Sequence, residues 1–265
     1  HPRANLRPDF SGLASRPSEG SGLTESRPSG HGGTLFLVAT PIGNLEDVTT
    51  RALRVLREVD LVAAEDTRRT RRLLDHFGIA ATLVSLFEHN ERSRISGIVE
   101  RLHGGQSVAV VTDAGSPGIA DPGFPLVRAA VAEGLRVESI PGPSAVLAAL
   151  QVSGLPTDAF TFVGFLPVKH GARRRLLEEY SERRETIVAF ESPHRIDRCL
   201  EDLEAVWLER PIALCRELTK LHEQVLRGSA REVRAALRED QKRGEMVLVL
   251  GGRTRASRAD RATEA

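Results

Sequence analysis

The chain has few lysines, few cysteines and no long hydrophobic run. Only three of its 37 basic residues are lysines (Lys169, Lys220 and Lys242), so nearly all of the positive charge is arginine. Guanidinium groups bind phosphate well, but a GC-rich genome produces the same bias. The net charge of +1 by itself predicts no nucleic-acid partner.

Both cysteines, Cys199 and Cys215, lie in apolar stretches without a disulfide pattern or metal-ligand spacing, and are predicted to be reduced core thiols. His89 and His194 have no second ligand at a metal-binding interval, so no metal site is predicted. No apolar run approaches the length of a membrane span, and the first residues contain no hydrophobic signal core. We therefore expect a cytoplasmic protein without a membrane segment.

Short apolar runs alternate with segments of helical spacing from Thr34 onward. Strands are predicted over residues 35–39, 61–64, 108–111, 137–140, 186–190, 212–215 and 246–250, and helices over 49–58 and 67–77 among others. Because the strands are apolar throughout and helical segments lie between most of them, the pattern predicts an α/β protein with parallel sheets covered by helices on both faces.

At 265 residues the chain is long enough for two medium domains. The turn-rich stretch Ser153–Asp158 is the best boundary. We predict an N-terminal α/β domain over 34–152 and a C-terminal α/β domain over 153–252. A disordered tail rich in Ser, Gly, Pro and Arg is predicted over 1–33, and a polar tail over 253–265.

Four loops follow predicted strands, where ligands of open α/β sheets bind. Loop 1 (residues 39–47) lacks the glycine triplet of a dinucleotide-binding motif and the Gly-Lys-Ser/Thr ending of a P-loop. It is either a ligand loop or a turn in which Asp47 caps the next helix. Loop 2 (residues 112–123) holds three glycines, which let the backbone approach a ligand closely. Its Asp113 or Asp121 is predicted to accept hydrogen bonds from ribose hydroxyls or an α-amino group.

Loop 3 (residues 140–145) leads into a helix whose first N–H groups suit a carboxylate or phosphate, and Ser144 and Ala145 leave room for a flat ligand. Loop 4 (residues 190–195) is predicted to hold polar groups at the sheet rim, either for function or for capping, with a helix beginning at Ser192 or Pro193. Further polar clusters are Glu65-Asp66, the arginines at 68, 69, 71 and 72, and the segments 87–91 and 216–220. The arginines either bind phosphates or form a solvated helix face.

Taken together, eight segments resemble the bacterial ribosomal RNA small-subunit methyltransferase I family, which has the tetrapyrrole methylase fold. They are VATPIGNLEDVT (38–49), AAEDTR (63–68), VTDAGSPGIADPG (111–123), PGPSA (141–145), GFLP (164–167), ESPHR (191–195), RELTK (216–220) and GEMV (244–247). No single segment is decisive, but their collinear order covers nearly all of 34–252. The resemblance implies two α/β domains of the class III methyltransferase type, with S-adenosylmethionine in the cleft between them.

The resemblance also implies a homodimer and 2′-O-methylation of a cytidine in the decoding region of small-subunit ribosomal RNA, in the assembled subunit. By position in the shared fold, the implied cofactor contacts are Pro41, Asp113, Ala114, Gly115, Ser116, Ile119, Ala120, Ser144, Ala145, Glu191 and Met246. The arginines predicted to contact RNA are Arg68, Arg69, Arg72 and Arg195.

A 2′-hydroxyl must lose its proton and lie in line with the methyl–sulfur bond of the cofactor. The candidates for proton handling or substrate orientation are Asp66, Glu88, His89, Glu191 and Lys220. The pair of Glu191 and Lys220 is preferred because both residues lie on motif loops of the predicted second domain.

The sequence leaves three alternative functions to consider. A tetrapyrrole C-methyltransferase of the same fold is disfavoured because loop 1 lacks a glycine-rich form, and AEDTR indicates the RNA branch. A non-catalytic RNA- or ribosome-binding protein predicts no cofactor affinity, and an NAD-dependent oxidoreductase is disfavoured by the missing glycine triplet. Relatives often continue past the last strand into a small helical segment. If that segment helps to recruit the ribosomal subunit, this chain is expected to rely on its core surface.

Overall fold

A computed structural model describes residues 33–86, 91–121, 123–207 and 209–253. The predicted catalytic candidates Glu88 and His89 lie outside the described residues, as do the predicted tails except for Gly33 and Arg253. The described ranges contain two five-stranded sheets. No helix within those ranges is long and apolar enough to cross a membrane.

The first sheet contains β1 (Thr34–Val38), β2 (Leu61–Ala64), β3 (Leu83–Ser85), β4 (Val108–Val111) and β5 (Arg136–Ile140), in the order β3-β2-β4-β1-β5. All neighbouring strands pair in parallel, which confirms the predicted arrangement for this sheet. One face is covered by α1 (Thr50–Glu58) and α2 (Thr67–His76), and the other by α3 (Glu91–His103) and α4 (Phe124–Ala132).

The second sheet contains β6 (Phe160–Phe165), β7 (Thr186–Glu191), β8 (Ile212–Arg216), β9 (Gln224–Gly228) and β10 (Met246–Leu250), in the order β6-β7-β10-β8-β9. Only β6 and β7 pair in parallel, and the other three pairings are antiparallel. The prediction of a parallel sheet is therefore wrong here.

The reason for that error is that both faces of the second sheet are buried. The helices α6 (His170–Tyr180), α7 (Ile196–Trp207) and α8 (Ala230–Ala236) cover one face, and α5 (Ala145–Ser153) covers the other. Burial on both faces produces a continuous apolar run whatever the direction of pairing, although such runs are most common in parallel sheets.

Helix α5 connects the two sheets. It follows β5 of the first sheet, but its Val146, Ala149 and Leu150 pack against the second sheet. Ile42 of loop 1 and Ala114 of loop 2 belong to the same apolar cluster, so loops of the first sheet lie on the second. Because α5 crosses the predicted boundary at 152/153, the division into domains 34–152 and 153–252 stays a prediction.

The remaining predictions of local structure are mostly confirmed. Each predicted strand matches an observed one, with ends that differ by at most one residue. The strands β3, β6 and β9 were not predicted, and the helix predicted to begin at Ser192 or Pro193 begins later, at Ile196. Cys199 and Cys215 are free and buried, as predicted.

Candidate functional site

Loops 1, 2 and 3 meet at the carboxyl edge of the first sheet. Thr40 and Gly115 exchange backbone hydrogen bonds, with N···O distances of 2.9 and 3.0 Å. The buried Thr40 hydroxyl also donates to the Thr112 carbonyl at 3.1 Å. Loop 3 reaches the same place, since a Cβ built on Gly142 would lie 3.1 Å from the Cβ of Ala39. The structure thus brings together three loops that were predicted separately.

The sequence left open that loop 1 is a turn in which Asp47 caps the next helix, and the structure shows different caps. Asn44 caps a short 3₁₀ helix, Leu45–Asp47, and Thr49 caps α1 by accepting a hydrogen bond from a backbone N–H at 3.1 Å. Asp47 therefore does not cap α1. Its buried Oδ2 atom has no hydrogen-bond partner among the described residues.

Loop 2 has a strained backbone. Gly115 and Gly118 have φ angles of +82° and +80°, and the non-glycine Ala120 has a φ angle of +61°. Glycine adopts such angles without strain, but a non-glycine residue held there costs about 1–3 kcal/mol, and such residues cluster at ligand sites. The neighbouring Ile119 is half exposed, and Ser116 is partly buried. The loop therefore combines its backbone contact with loop 1 at Gly115 with an exposed apolar side chain at Ile119.

Loop 1 also touches the segment that follows β8 in the second sheet. A Cβ on Gly43 would lie 2.8 Å from the Thr219 hydroxyl and 2.9 Å from the Leu218 carbonyl oxygen, so the contact requires glycine. The Thr219 hydroxyl is buried and has no partner in the described part of the chain. Because an unsatisfied buried polar group costs about 1–3 kcal/mol, this position favours a bound group that supplies the missing hydrogen bond.

Acidic side chains follow the neighbouring strands β2 and β4. The Asp113 N–H donates to the Glu65 carboxylate, and Asp113 Oδ1 accepts from the Asp66 N–H, both at 3.2 Å. Asp66 caps α2 by accepting the Arg68 N–H at 2.8 Å. The hydrogen bonds from Arg68 lower the pKa of Asp66 to about 2. Asp66 is therefore ionised at neutral pH, which suits capping and orientation better than proton acceptance.

The environment of Asp121, near the end of loop 2, raises the pKa of this carboxyl, whereas the pKa of Asp66 is lowered. Burial, together with the nearby carboxylates of Glu65, Asp113 and Glu245, raises its pKa to about 6, against the effect of a hydrogen bond with Thr112. Glu245 immediately precedes β10, so the carboxylates of the first sheet face one from the second.

This environment predicts how Asp121→Asn changes stability with pH. The pKa of Asp121 is raised from 3.8 to about 6 on folding. The protonated form is thus favoured in the folded state, and its contribution to stability, present below about pH 4, is lost as the pH rises through 6. The full shift would correspond to about 3 kcal/mol, which the half-buried position reduces to about 1 kcal/mol.

Asp121→Asn is therefore expected to be more stable than the wild type near pH 8 and equally stable near pH 4, measured by urea unfolding. Asp66→Asn is the control with the opposite sign, because the lowered pKa of Asp66 stabilises the fold above pH 4. The assignment for Asp121 fails if its variant shows no gain at the higher pH.

A pocket of about 200 Å³, hereafter the α2 pocket, opens beside Asp113. Its walls come from loop 1, from the first turns of α2 and from the end of β4. It brings together residues that were predicted for two different ligands: Pro41 and Asp113 for the cofactor, and Arg69 and Arg72 for RNA. Arg68 pairs instead with Asp66, at 3.0 Å.

Glu191 and Met246 lie side by side at the ends of β7 and β10. Glu191 is buried, and its Oε1 accepts from the Ser192 N–H and from the Arg195 guanidinium, both at 2.6 Å. Met246 packs in the core beneath α7, and Glu191 lies near Cys199 of that helix, where burial and this carboxylate raise the pKa of the thiol. Both side chains thus face α7, and the predicted RNA contact Arg195 is held in an ion pair.

Lys220 is paired with carboxylates other than Glu191. Its Nζ donates to Glu217 at 2.9 Å and to Glu245 at 3.1 Å, and these are its ion-pair partners within the described ranges. Burial alone would lower the pKa of Lys220, but its hydrogen bonds with the two carboxylates outweigh burial and raise the pKa. Lys220 is therefore a cation at neutral pH, close to Gly43 of loop 1.

Three residues of this junction were not predicted individually. Arg216 is buried and donates to three backbone carbonyl oxygens at 3.0, 3.2 and 3.5 Å, which holds the segment before β10 beside the end of β8. Glu217 and Glu245 fix the Lys220 ammonium. All three lie in the segments RELTK and GEMV. The sequence does not indicate that a carboxylate from each segment binds the ammonium group of Lys220.

A family profile and two relatives to which the chain is similar all describe methyltransferases. The family profile of the tetrapyrrole (corrin/porphyrin) methylases matches residues 34–234. A ribosomal RNA small subunit methyltransferase I from Halalkalibacterium halodurans is 49% identical over 220 residues, which are 83% of this chain and 76% of the relative. The protein of the same name from Xylella fastidiosa (strain Temecula1) is 50% identical over 223 residues, which are 83% of this chain and 82% of the relative.

Among solved structures, the cobalamin biosynthetic enzyme cobalt precorrin-4 methyltransferase is similar with a TM-score of 0.60 and 18% identity. The match covers 82% of this chain and 94% of that one. At this identity the similarity concerns the fold alone.

Proposed function

Because the chain belongs to the tetrapyrrole methylase family, and within it to the ribosomal RNA small subunit methyltransferase I proteins, we propose that it methylates small-subunit ribosomal RNA with S-adenosylmethionine as the methyl donor. The acceptor is the 2′-hydroxyl of a cytidine in the decoding region. The observation that carries the proposal is the identity of 49% and 50% with two proteins of that name, over 83% of the chain. Similarity of fold to a cobalamin enzyme does not favour a tetrapyrrole substrate.

The residues at the junction of the loops fit S-adenosylmethionine chemically. Asp113 and Asp121 supply acceptors for ribose hydroxyls, and the first N–H groups of α5, next to Ser144 and Ala145, suit the α-carboxylate. The unpartnered Thr219 hydroxyl leaves one further polar contact to be made. We place the cofactor against Pro41, Asp113, Ala114, Gly115, Ser116, Ile119, Ala120, Ser144 and Ala145.

Glu191 and Met246 contribute to this cofactor site in a different way. Their side chains face α7, so we expect their contacts to come from backbone atoms at the ends of β7 and β10. Glu191 then acts as a positioning residue that holds Arg195 and the turn at Ser192.

Methyl transfer needs a ribose hydroxyl held in line with the donor's methyl–sulfur bond. S-adenosylmethionine, when bound, supplies the electrophilic methyl group. Lys220, kept charged by Glu217 and Glu245, orients the hydroxyl oxygen and stabilises the negative charge that develops on it. Among the candidates for proton acceptance, Asp66 has a low pKa and Glu191 is buried. Glu88 and His89 stay predictions outside the described residues.

We further propose that the enzyme acts in the cytoplasm as a homodimer on the assembled small subunit. Two buried free thiols suit a reducing compartment. Phe124 and Val131 of α4 are 64% and 62% exposed, and such an apolar strip suits an interface between two copies.

Ribose-methylation mapping of small-subunit ribosomal RNA, with and without the gene for this chain, tests the proposed function. One decoding-region cytidine should lose its 2′-O-methyl group in the deletion strain, and the purified chain should restore it on isolated unmodified subunits. Calorimetry should also show that the chain binds S-adenosylmethionine. An unchanged methylation map would refute the function, and methylation of naked RNA alone would refute the assembled subunit as substrate.

A further inference from the structure

The α2 pocket combines an apolar wall with a cationic one. Pro41 and Leu45 of loop 1 form part of its apolar wall. Arg69 and Arg72 of α2 provide the guanidinium groups of the cationic wall. Its volume of about 200 Å³ suits one small group such as a single nucleotide.

The two arginines of this pocket differ in their partners. Arg69 pairs with Asp113 at 3.3 Å, and Asp113 is itself fixed by backbone hydrogen bonds with Asp66 and Glu65. No hydrogen bond or ion pair joins Arg72 to another residue of the described chain. Arg69 is therefore oriented and partly neutralised, whereas the charge of Arg72 is uncompensated there. A pocket with a free guanidinium and an apolar wall suits a phosphate joined to a sugar or base.

The position of the pocket relates it to the proposed cofactor site. Of the residues that we place against the cofactor, only Pro41 and Asp113 line it. Asp113 continues directly into loop 2, and Thr40 in the pocket wall bonds Gly115 of that loop. A ligand in the pocket therefore lies beside the cofactor site and shares Pro41 and Asp113 with it.

We infer that the α2 pocket binds the acceptor nucleotide of the ribosomal RNA, with its phosphate on Arg72 and its sugar towards Asp113. This inference rests on the proposed function, because it assigns the second substrate of the same reaction. It gives Arg72 the role of a phosphate contact and Arg69 that of a positioning residue.

Equilibrium binding of small-subunit ribosomal RNA at several salt concentrations tests the inference. Arg72→Ala should weaken binding about tenfold and reduce the slope of log K against log salt by about 0.7–0.9, as for one lost phosphate contact. Arg72→Lys should keep the slope while recovering only part of the affinity, because an ammonium lacks the guanidinium fork. The affinity for S-adenosylmethionine should not change in either variant.

Arg101→Ala is the matched control, since Arg101 is exposed on α3, which covers the opposite face of the first sheet. The pocket assignment is wrong if Arg72→Ala binds RNA as tightly as this control, or if it loses affinity for the cofactor instead. In either case, methylation by the wild type would still support the proposed function. A wild type that binds RNA but transfers no methyl group refutes the function separately. A wild type that binds no RNA refutes both.

Discussion

Replacement of Asp202 by alanine is expected to lower the free energy of unfolding by about 3–5 kcal/mol. The Asp202 and Arg173 side chains are only 4% and 2% exposed, and their closest N···O distance is 2.6 Å. Alanine leaves the guanidinium buried without a counter-ion, since its other acceptors are backbone carbonyls. Urea unfolding followed by circular dichroism measures the loss.

Glu201→Ala provides the control on the same helix. Glu201 pairs with Arg234 on the surface of α7, and both side chains are about half exposed, so its loss should cost less than about 1 kcal/mol. Equal losses in the two variants would mean that the buried pair contributes no more to stability than the exposed pair. Arg173 also donates to the carbonyls of Pro167 and Val168. The buried Arg173 thus holds the backbone where the segment GFLP ends.

The central strands could be predicted because their burial is uniform. The segments LVAA of β2, VAVV of β4 and MVLVL of β10 are buried at every position, so their composition alone indicates strands. By contrast, β6 contains Gly164 and ends in the exposed Phe165, and β9 lies at a sheet edge with the exposed Arg227. Edge strands need no continuous apolar run, which is why these two were missed.

The site could be predicted only one loop at a time. Glycine and proline in loop 2 indicate special backbone angles, and the positive φ of Gly115 and Ala120 agrees with them. The contact of Gly43 with the segment after β8 joins distant parts of the sequence, and no local pattern encodes it. No local pattern shows which residues Glu191 and Lys220 contact either. The sequence favours them as candidates only because both lie on motif loops. The structure gives each of them a different partner.

The second large effect is expected at Lys220. Lys220→Met should lower the single-turnover rate of methyl transfer, at saturating S-adenosylmethionine, by about 10²–10³-fold, the usual loss when one donor to a developing negative charge is removed. The ammonium is fixed by Glu217 and Glu245, which keep it charged at neutral pH. The variant leaves these two carboxylates without a cation and the acceptor hydroxyl without a donor. Rapid-quench measurement with unmodified small subunits gives the rate.

Lys242→Met is the matched control, because Lys242 is likewise held by two carboxylates, Asp197 and Glu239, at 2.7 and 2.6 Å. Neither carboxylate belongs to the loops of the site, so this variant should keep the wild-type rate. Calorimetry should show unchanged cofactor affinity in Lys220→Met, which separates a loss of chemistry from a loss of binding. If both variants react at the wild-type rate, Lys220 has no part in the transfer. If both slow equally, the effect lies in the general charge of the surface, and the role in orienting the hydroxyl is refuted.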